Sequence, residues 1–368
     1  PDIEAAYGDK LRPMDAFKDS APAELVDCVG HDDLMVLMFT SGTTGRSKAV
    51  MLSERNFFTT VECQVKFGDA MLDYKHEHMP EDKNDVLSNF AILPLFHLGT
   101  FICLFVWACK GWALNLSADI RDFYRDLGLM HSDAIAVAPM LMEAIYKDVK
   151  RGRRARLNGI WNPCGSSAMF DGAMLAELAQ QGMMITQVYG MTETCGDGII
   201  NYEQDEKHIR AVGKPDDHAE YKLDETGEIC IRGGCVMLGY YKDPEATAEV
   251  LDTDGWFHTG DLARVDEDGF YYITGRKKNI IILDNGENVS PEELENLLSK
   301  CEAVKECIVR EKGKKICAVI YCGEADQQTV RDFITETNRT LPLYKRMSAV
   351  EFSTEPLPRT GTGKLLRK

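Results

Sequence analysis

The chain is poor in positive charge. Its 368 residues carry 42 lysines and arginines against 59 aspartates and glutamates, a formal net charge of −17. That balance excludes general nucleic-acid binding, which requires a basic face. An anionic ligand must instead meet cations and N–H groups gathered at loops and helix N-termini. Metal-type cysteine spacing is also missing. None of the 12 cysteines forms a C-x-x-C pair, and Cys230/Cys235 and Cys317/Cys322 suit neither a zinc ribbon nor a redox couple. Cys103, Cys109 and Cys317 lie in apolar runs, where cysteine acts as a small hydrophobe. A reduced, cytoplasmic protein is therefore expected. Long unbroken apolar stretches are absent too. The longest candidate, Ala91 to Cys109, is interrupted by Pro94, His97 and Gly99, which favours a buried strand–turn–helix over a membrane span. No signal peptide is visible, and Pro1 is not a translation start, so a trimmed N-terminus is expected.

What is present is ample for a core. Apolar residues make up 44% and aromatics 9%, and the length predicts two or three domains. The most informative stretch is Phe39-Thr40-Ser41-Gly42-Thr43-Thr44-Gly45-Arg46-Ser47-Lys48. It follows an apolar run, Leu34 to Met38, that reads as a buried strand. Glycines let the backbone turn tightly and aim N–H groups inward. Hydroxyls add donors, and Lys48 adds a mobile cation. Such a loop can cradle a polyphosphate. It is not a Walker loop, because Gly42 and Gly45 are three apart and Lys48 follows no glycine. The plain alternative is a Ser/Thr-rich surface loop.

Leu34–Thr40 and Ala49–Leu52 read as strands, and Ser53 as the N-cap of a helix through about Gly68. Charged residues 69–85 read as a loop. Strands are expected at Leu87–Leu93, Ala134–Ala138, Ile160–Pro163 and Met184–Tyr189, and helices at Gly99–Cys109, Pro139–Val149 and Asp171–Gln181. This alternation predicts βαβ units with a parallel sheet. Beyond Gly198 turn signals crowd together (Thr226-Gly227, Gly233-Gly234, Asp254-Gly255, Asp268-Gly269), and the short segments between them read as antiparallel β structure. Ser290 and Pro291, with Glu293 behind them, open a capped helix. Two strand-like runs and a helix, Gln327–Thr340, complete the tail. The expected fold class is α/β: a large domain of βαβ sheet layers plus a small antiparallel β subdomain, residues 1–276, then a small α+β C-terminal lid domain, residues 277–368.

Several separated segments fall in order. After the loop at 40–48 come Leu93-Pro94-Leu95-Phe96-His97, Gly165-Ser166-Ser167-Ala168 and Tyr189-Gly190-Met191-Thr192-Glu193-Thr194. Gly255-Trp256-Phe257-His258-Thr259-Gly260-Asp261, Gly275-Arg276-Lys277-Lys278 and Pro358-Arg359-Thr360-Gly361-Thr362-Gly363-Lys364 follow. Order and content resemble the adenylate-forming superfamily of acyl- and aryl-CoA synthetases, luciferases and peptide-synthetase adenylation domains. The likeness runs from about Leu34 to Lys368, and the segment 275–293 looks most like bacterial fatty-acid CoA ligases.

The resemblance implies ATP, Mg2+ and CoA as cofactors and a carboxylic acid, expected to be a fatty acid, as substrate. It implies two steps, formation of an acyl-adenylate and transfer of the acyl group to a thiol. Thr40, Ser41, Gly42, Thr43, Thr44, Gly45 and Lys48 would hold the β- and γ-phosphates. Glu193 would hold the metal, and Thr192 would donate to the α-phosphate. Tyr189 would offer its face to adenine, Gly190 would belong to the same nucleotide site, and Gly165, Ser166, Ser167 and Ala168 would allow close approach. Asp261 would accept the ribose hydroxyls, with Arg276 beside it. Lys364, charged at neutral pH, would join the carboxylate to the α-phosphate in the first step. Lys278 matches the hinge about which the lid turns, and Gly286 would line the thiol tunnel. His97 would lie near the acid. The basic cluster Lys147, Lys150, Arg151, Arg153, Arg154 and Arg156 reads as a solvated turn or a site for CoA phosphates.

The chain departs from that family in length. Only 39 residues precede Thr40, where relatives carry a long N-terminal portion, so a partial large domain with a missing N-terminal segment is expected. Two readings compete with CoA ligation: loading of an acid onto a carrier protein, and a non-catalytic nucleotide-binding fragment.

Overall fold

A computed structural model of the chain describes residues 30–40, 48–117, 119–166, 170–196, 198–283, 287–313, 315–359 and 365–366, with Ser166 by its main chain alone. The first strands, β1 (Leu34–Thr40) and β2 (Lys48–Ser53), form an antiparallel hairpin in which Thr40 faces Lys48. Helix α1 (Glu54–His78) follows. Ser53 Oγ accepts the Asn56 N–H, and the Asn56 side chain accepts the Ser53 N–H in return. This reciprocal cap fixes the helix start. The helix does not stop near Gly68. It takes in residues 69–78, whose charged texture suggests a loop. Met71 and Lys75 are buried there, and the Tyr74 ring stacks on Trp161 at 5.8 Å. Tertiary packing overrides the polar texture of those turns.

Next come β3 (Ser88–Ala91), α2 (Leu98–Lys110), β4 (Ala113–Leu116), α3 (Phe123–Leu129), β5 (Ala134–Val137), α4 (Pro139–Lys150), β6 (Asn162–Ser166), α5 (Gly172–Gln180), β7 (Thr186–Gly190) and β8 (Gly198–Asn201). The sheet order is β4-β3-β5-β6-β7-β8. The first five strands are mutually parallel, and β8 returns antiparallel to β7. Helices α1 and α2 contribute Phe57, Met71, Ile102 and Trp107 to the core on one face. Helices α3, α4 and α5 contribute Phe123, Leu127, Met142, Ile145 and Leu175 to the other. Each such side chain contributes about 1.5–3 kcal/mol on burial. Strand β4, helix α3 and strand β8 are not legible as elements in the sequence, being short and without clean periodicity.

The next elements are β9 (Ala219–Leu223), β10 (Glu228–Gly233), β11 (Gly239–Tyr240), α6 (Pro244–Ala248), β12 (Phe257–Val265) and β13 (Tyr271–Arg276). Four of these strands form an antiparallel sheet ordered β13-β12-β10-β9, while β11 adds to the hairpin in the order β1-β2-β11. A cluster of Tyr189, Ile199, Ile229, Ile231, Ala263 and Tyr271 packs the antiparallel sheet against β7 and β8.

The C-terminal part contains β14 (Ile281–Ile282), β15 (Asn288–Val289), α7 (Pro291–Leu298), β16 (Glu306–Lys312), β17 (Lys315–Tyr321), α8 (Gln327–Thr340) and β18 (Ala349–Ser353). Ser290 caps α7 by accepting the Glu293 N–H. Strands β16 and β17 are antiparallel, and β18 adds parallel to β17 as a third strand beyond the two expected. Their core, including Val289, Leu294, Val309, Ile320, Val330 and Ile334, draws only on residues between 281 and 352.

Candidate functional site

Strand β7 ends where a ligand would sit in an open parallel sheet, at the carboxyl edge. Tyr189 lies at that end, and its hydroxyl donates to Asp261 Oδ2 at 3.2 Å. Asp261 is buried on β12, and its other oxygen accepts from Arg276 Nε at 2.7 Å. Register explains the second contact, because Asp261 pairs with Arg276 across β12 and β13. Burial, reinforced by the negative charge of Asp261, pushes the Tyr189 phenol well above its ordinary pKa. The phenol therefore stays a donor. Asp261 is further fixed through its own N–H, which donates to Thr259 Oγ1 at 3.1 Å, while the Thr259 hydroxyl donates to Ile229 O at 2.8 Å. The result is a buried carboxylate held on both oxygens beside an aromatic ring.

A second group lies just past β7. Thr192, Glu193 and Thr194 form a tight turn, and the Met237 N–H donates to Glu193 O at 2.9 Å. Glu193 Oε1 accepts from the Tyr240 hydroxyl at 2.9 Å. Among the described residues Glu193 Oε2 accepts no hydrogen bond, so one oxygen of a half-buried carboxylate is left for a ligand. Burial and the Glu193 charge push the Tyr240 phenol far above its usual pKa, keeping it a donor. Tyr240 sits on β11, paired to Val50 of β2, and Lys48 Nζ lies 4.3 Å above its ring. That cation–π contact places Lys48, Tyr240 and Glu193 in one row. The motifs do not single out Tyr240. Its only signal in the sequence is an aromatic pair, Tyr240-Tyr241, after a glycine.

Gly165 lies on β6 opposite Gln187, and a Cβ there would meet the Phe170 ring at 2.4 Å. Gly190 ends β7 opposite Gly198, whose own added Cβ would sit 2.0 Å from Tyr189 O. The main chain of Ser166 lies beside Val188, so β6 ends there while β7 runs on to Gly190 against β8. Thr40 closes β1 opposite Lys48. Ser41, Gly42, Thr43, Thr44, Gly45, Ser167, Ala168, Gly286 and Lys364 lie outside the described residues.

His97 is exposed at the N-cap of α2, flanked by exposed Leu95 and Phe96. Lys278 is exposed in the turn between β13 and β14. Four of the six residues of the basic cluster are used locally. Lys147 pairs with Glu143, Lys150 with Glu177, and Arg156 with Asp148, while Arg154 donates to the carbonyls of Gln181 and Gly182. Among the described residues no cysteine is in a disulfide, and no helix is long and apolar enough to cross a membrane.

Comparison with known proteins points one way. The profile of the AMP-binding enzyme family matches residues 4–241, and that of the AMP-binding enzyme C-terminal domain matches residues 293–364. Feruloyl-CoA synthase from an Amycolatopsis species is 32% identical, across 98% of this chain and 74% of its own. The long-chain-fatty-acid–CoA ligase of Salmonella typhimurium is 30% identical, across 92% of this chain and 61% of its own. Both relatives are therefore longer than this chain. Among solved structures, o-succinylbenzoate-CoA synthetase from Bacillus subtilis in complex with its acyl-adenylate intermediate superposes with a TM-score of 0.77 at 25% identity, covering 99% of this chain and 75% of that one.

Proposed function

Because the chain belongs to the AMP-binding enzyme family, we propose that it is an AMP-forming acid–thiol ligase that joins a carboxylic acid to CoA at the expense of ATP. The observation that carries this reading is the Tyr189–Asp261–Arg276 group at the carboxyl end of β7, with the Glu193–Tyr240–Lys48 row beside it. Asp261 accepts the ribose hydroxyls, and the Tyr189 ring offers its face to adenine. Thr40 through Gly45, with Lys48, cradle the outer phosphates. Thr192 donates to the α-phosphate.

In the first step a substrate carboxylate oxygen bonds to the α-phosphorus and the bond to pyrophosphate breaks. In the second the CoA sulfur bonds to the acyl carbon and AMP leaves. Negative charge spreads over phosphate oxygens in the first transition state, so cations and donors placed beforehand supply most of the acceleration. Glu193 fits Mg2+: its carboxylate is oriented by Tyr240 and keeps an oxygen for the ion. The ion, when bound, would shield phosphate charge. Lys364 neutralises the carboxylate and α-phosphate oxygens as they approach.

Residues 277–368 form the lid in this reading and turn about Lys278, with Gly286 facing the thiol. The self-contained core between residues 281 and 352 supports a separate body. For the acid, we favour an apolar body, a fatty acid first. Exposed Leu95 and Phe96 beside His97 give that surface an apolar character. The named substrates of the relatives differ, so the acid is a matter for experiment.

ATP–pyrophosphate exchange with fatty acids of several lengths, cinnamic-type aromatic acids and amino acids tests the proposal. Exchange with fatty acids is the expected result. Exchange with aromatic acids alone would overturn the fatty-acid reading and keep the ligase. Binding of ATP with no exchange for any acid would overturn the ligase.

A further inference from the structure

One buried carboxylate in the antiparallel sheet has no part in the chemistry described above. Glu228 opens β10 and is 3% exposed. Its Oε1 accepts the Gly260 N–H at 2.7 Å, and its Oε2 accepts from Lys277 Nζ at 2.6 Å. Gly260 immediately precedes Asp261, and Lys277 immediately follows Arg276. The single side chain of Glu228 therefore grips both residues that flank the Asp261–Arg276 pair.

The surrounding strands make that grip consequential. The ladder between β10 and β12 shifts register between Glu228 and Cys230, and that between β12 and β13 shifts between Leu262 and Ala263. Such irregularities re-aim a side chain at the cost of main-chain pairing. Gly260 has φ +73, a left-handed conformation suited to glycine. Asp261 thus lies in the irregular stretch of β12 on its β10 side, while on its β13 side it stays paired with Arg276. On the β10 side the ladder does not hold the main chain beside Asp261, and Glu228 is the group that does so, through the Gly260 N–H. His258 Nδ1 at 3.7 Å from Glu228 Oε2 and Asp224 at 3.6 Å from Lys277 Nζ complete the charges nearby.

We infer that Glu228 and Lys277 are a positioning pair for the nucleotide's ribose site, holding Asp261 and Arg276 from outside while touching no substrate themselves. The inference rests on the ribose role proposed for Asp261. It also gives Lys277 a task distinct from its neighbour Lys278. Lys277 ties the end of β13 to β10 across the antiparallel sheet, so the ribose site and the root of the C-terminal body share one anchor.

The test uses the full chain and two readouts, AMP affinity by calorimetry and KM for ATP in pyrophosphate exchange. Glu228→Gln keeps an acceptor for the Gly260 N–H but loses its charge against Lys277. Lys277→Met keeps the stem and loses the cation, and Lys277→Arg keeps the cation. Glu228→Gln and Lys277→Met should each weaken AMP binding and raise KM for ATP by about tenfold, with KM for the acid unchanged. The double variant should be no worse than the poorer single one, because the two residues act as one unit. Lys277→Arg should stay within about threefold of wild type. A purely structural role would lower the folded fraction and kcat together and leave KM for ATP alone. Equal AMP affinity in wild type and all variants would overturn the positioning role. Absence of AMP binding by the wild-type chain would overturn the nucleotide reading beneath it.

Discussion

The Tyr240 hydroxyl and the Glu193 carboxylate meet at 2.9 Å, joining a strand of the hairpin sheet to the turn that leaves the central sheet. Neither residue could be aimed by its own element. Glu193 sits in a three-residue turn, and Tyr240 on a two-residue strand. Pairing of β11 with β2 brings the phenol to the carboxylate. The strand that carries Lys48 therefore also sets the direction of the residue proposed to hold Mg2+.

Tyr240→Phe isolates that bond. The ring stays beneath Lys48 and the packing is unchanged, so the thermal midpoint should move little. Orienting partners of metal ligands are worth about 10–100-fold in affinity or activity. Pyrophosphate exchange should fall by about tenfold or more, and the half-saturating Mg2+ concentration should rise. An unaltered Mg2+ titration would remove Tyr240 from the site.

Gly198→Ala tests how tightly β8 lies on β7. The new methyl would sit 2.0 Å from Tyr189 O, and the obstacle is main chain, with no flexible side chain to yield. Overpacking of this kind costs about 1–3 kcal/mol. The denaturation midpoint should fall accordingly, and AMP binding should weaken because Tyr189 is displaced. A midpoint equal to wild type would show that the two strands are not so closely apposed.

Much of this arrangement is legible in the amino-acid sequence. Leu87–Leu93, Ala134–Ala138 and Met184–Tyr189 are apolar runs, and each overlaps a strand of the parallel sheet. Motifs point to Tyr189, Asp261 and Arg276, and the fold brings them within hydrogen-bonding distance. Tyr240 is hidden, since its use depends on a β2–β11 pairing between segments far apart in sequence. Glu228 is hidden as well. It stands first in a short alternating segment, Glu228–Arg232, just after Asp224 and Glu225, with nothing local to mark it as buried, and the partners that bury it come from β12 and the end of β13. The extra turns of α1 escape notice because Lys75, charged and fully buried, pairs with Asp82 in a way no periodicity announces.

Lys364→Ala separates the two half-reactions. The role proposed for Lys364 is confined to joining the carboxylate to the α-phosphate. Adenylation, followed by pyrophosphate exchange, should fall by about a hundredfold or more, as for loss of one oriented charge at a transition state. Thioester formation from supplied acyl-AMP and CoA should stay near wild type. Equal loss in both assays would end this assignment.

His208 predicts a pH-dependent joint between the central and antiparallel sheets. Its Nδ1 lies 2.9 Å from Asp205, its Nε2 lies 3.1 Å from Asp268 and 3.9 Å from Asp266, and its ring stacks on Phe270 at 4.0 Å. The hydrogen bond to Asp205 raises its pKa above the ordinary value of 6.5; burial opposes the rise, and Asp268 reinforces it. Lys207, paired to Asp268 and Glu267, is the nearby cation. A histidine whose folded pKa is raised stabilises the native state most below its unfolded pKa. That contribution is lost as pH climbs from 6.5 through the raised folded value. The difference in thermal midpoint between wild type and His208→Gln should therefore be largest at about pH 5.5 and smallest at about pH 8.5. Melting curves of the two proteins across that range check it. A difference that grows toward alkaline pH would mean that the ring is held neutral, with the aspartates turned away from it.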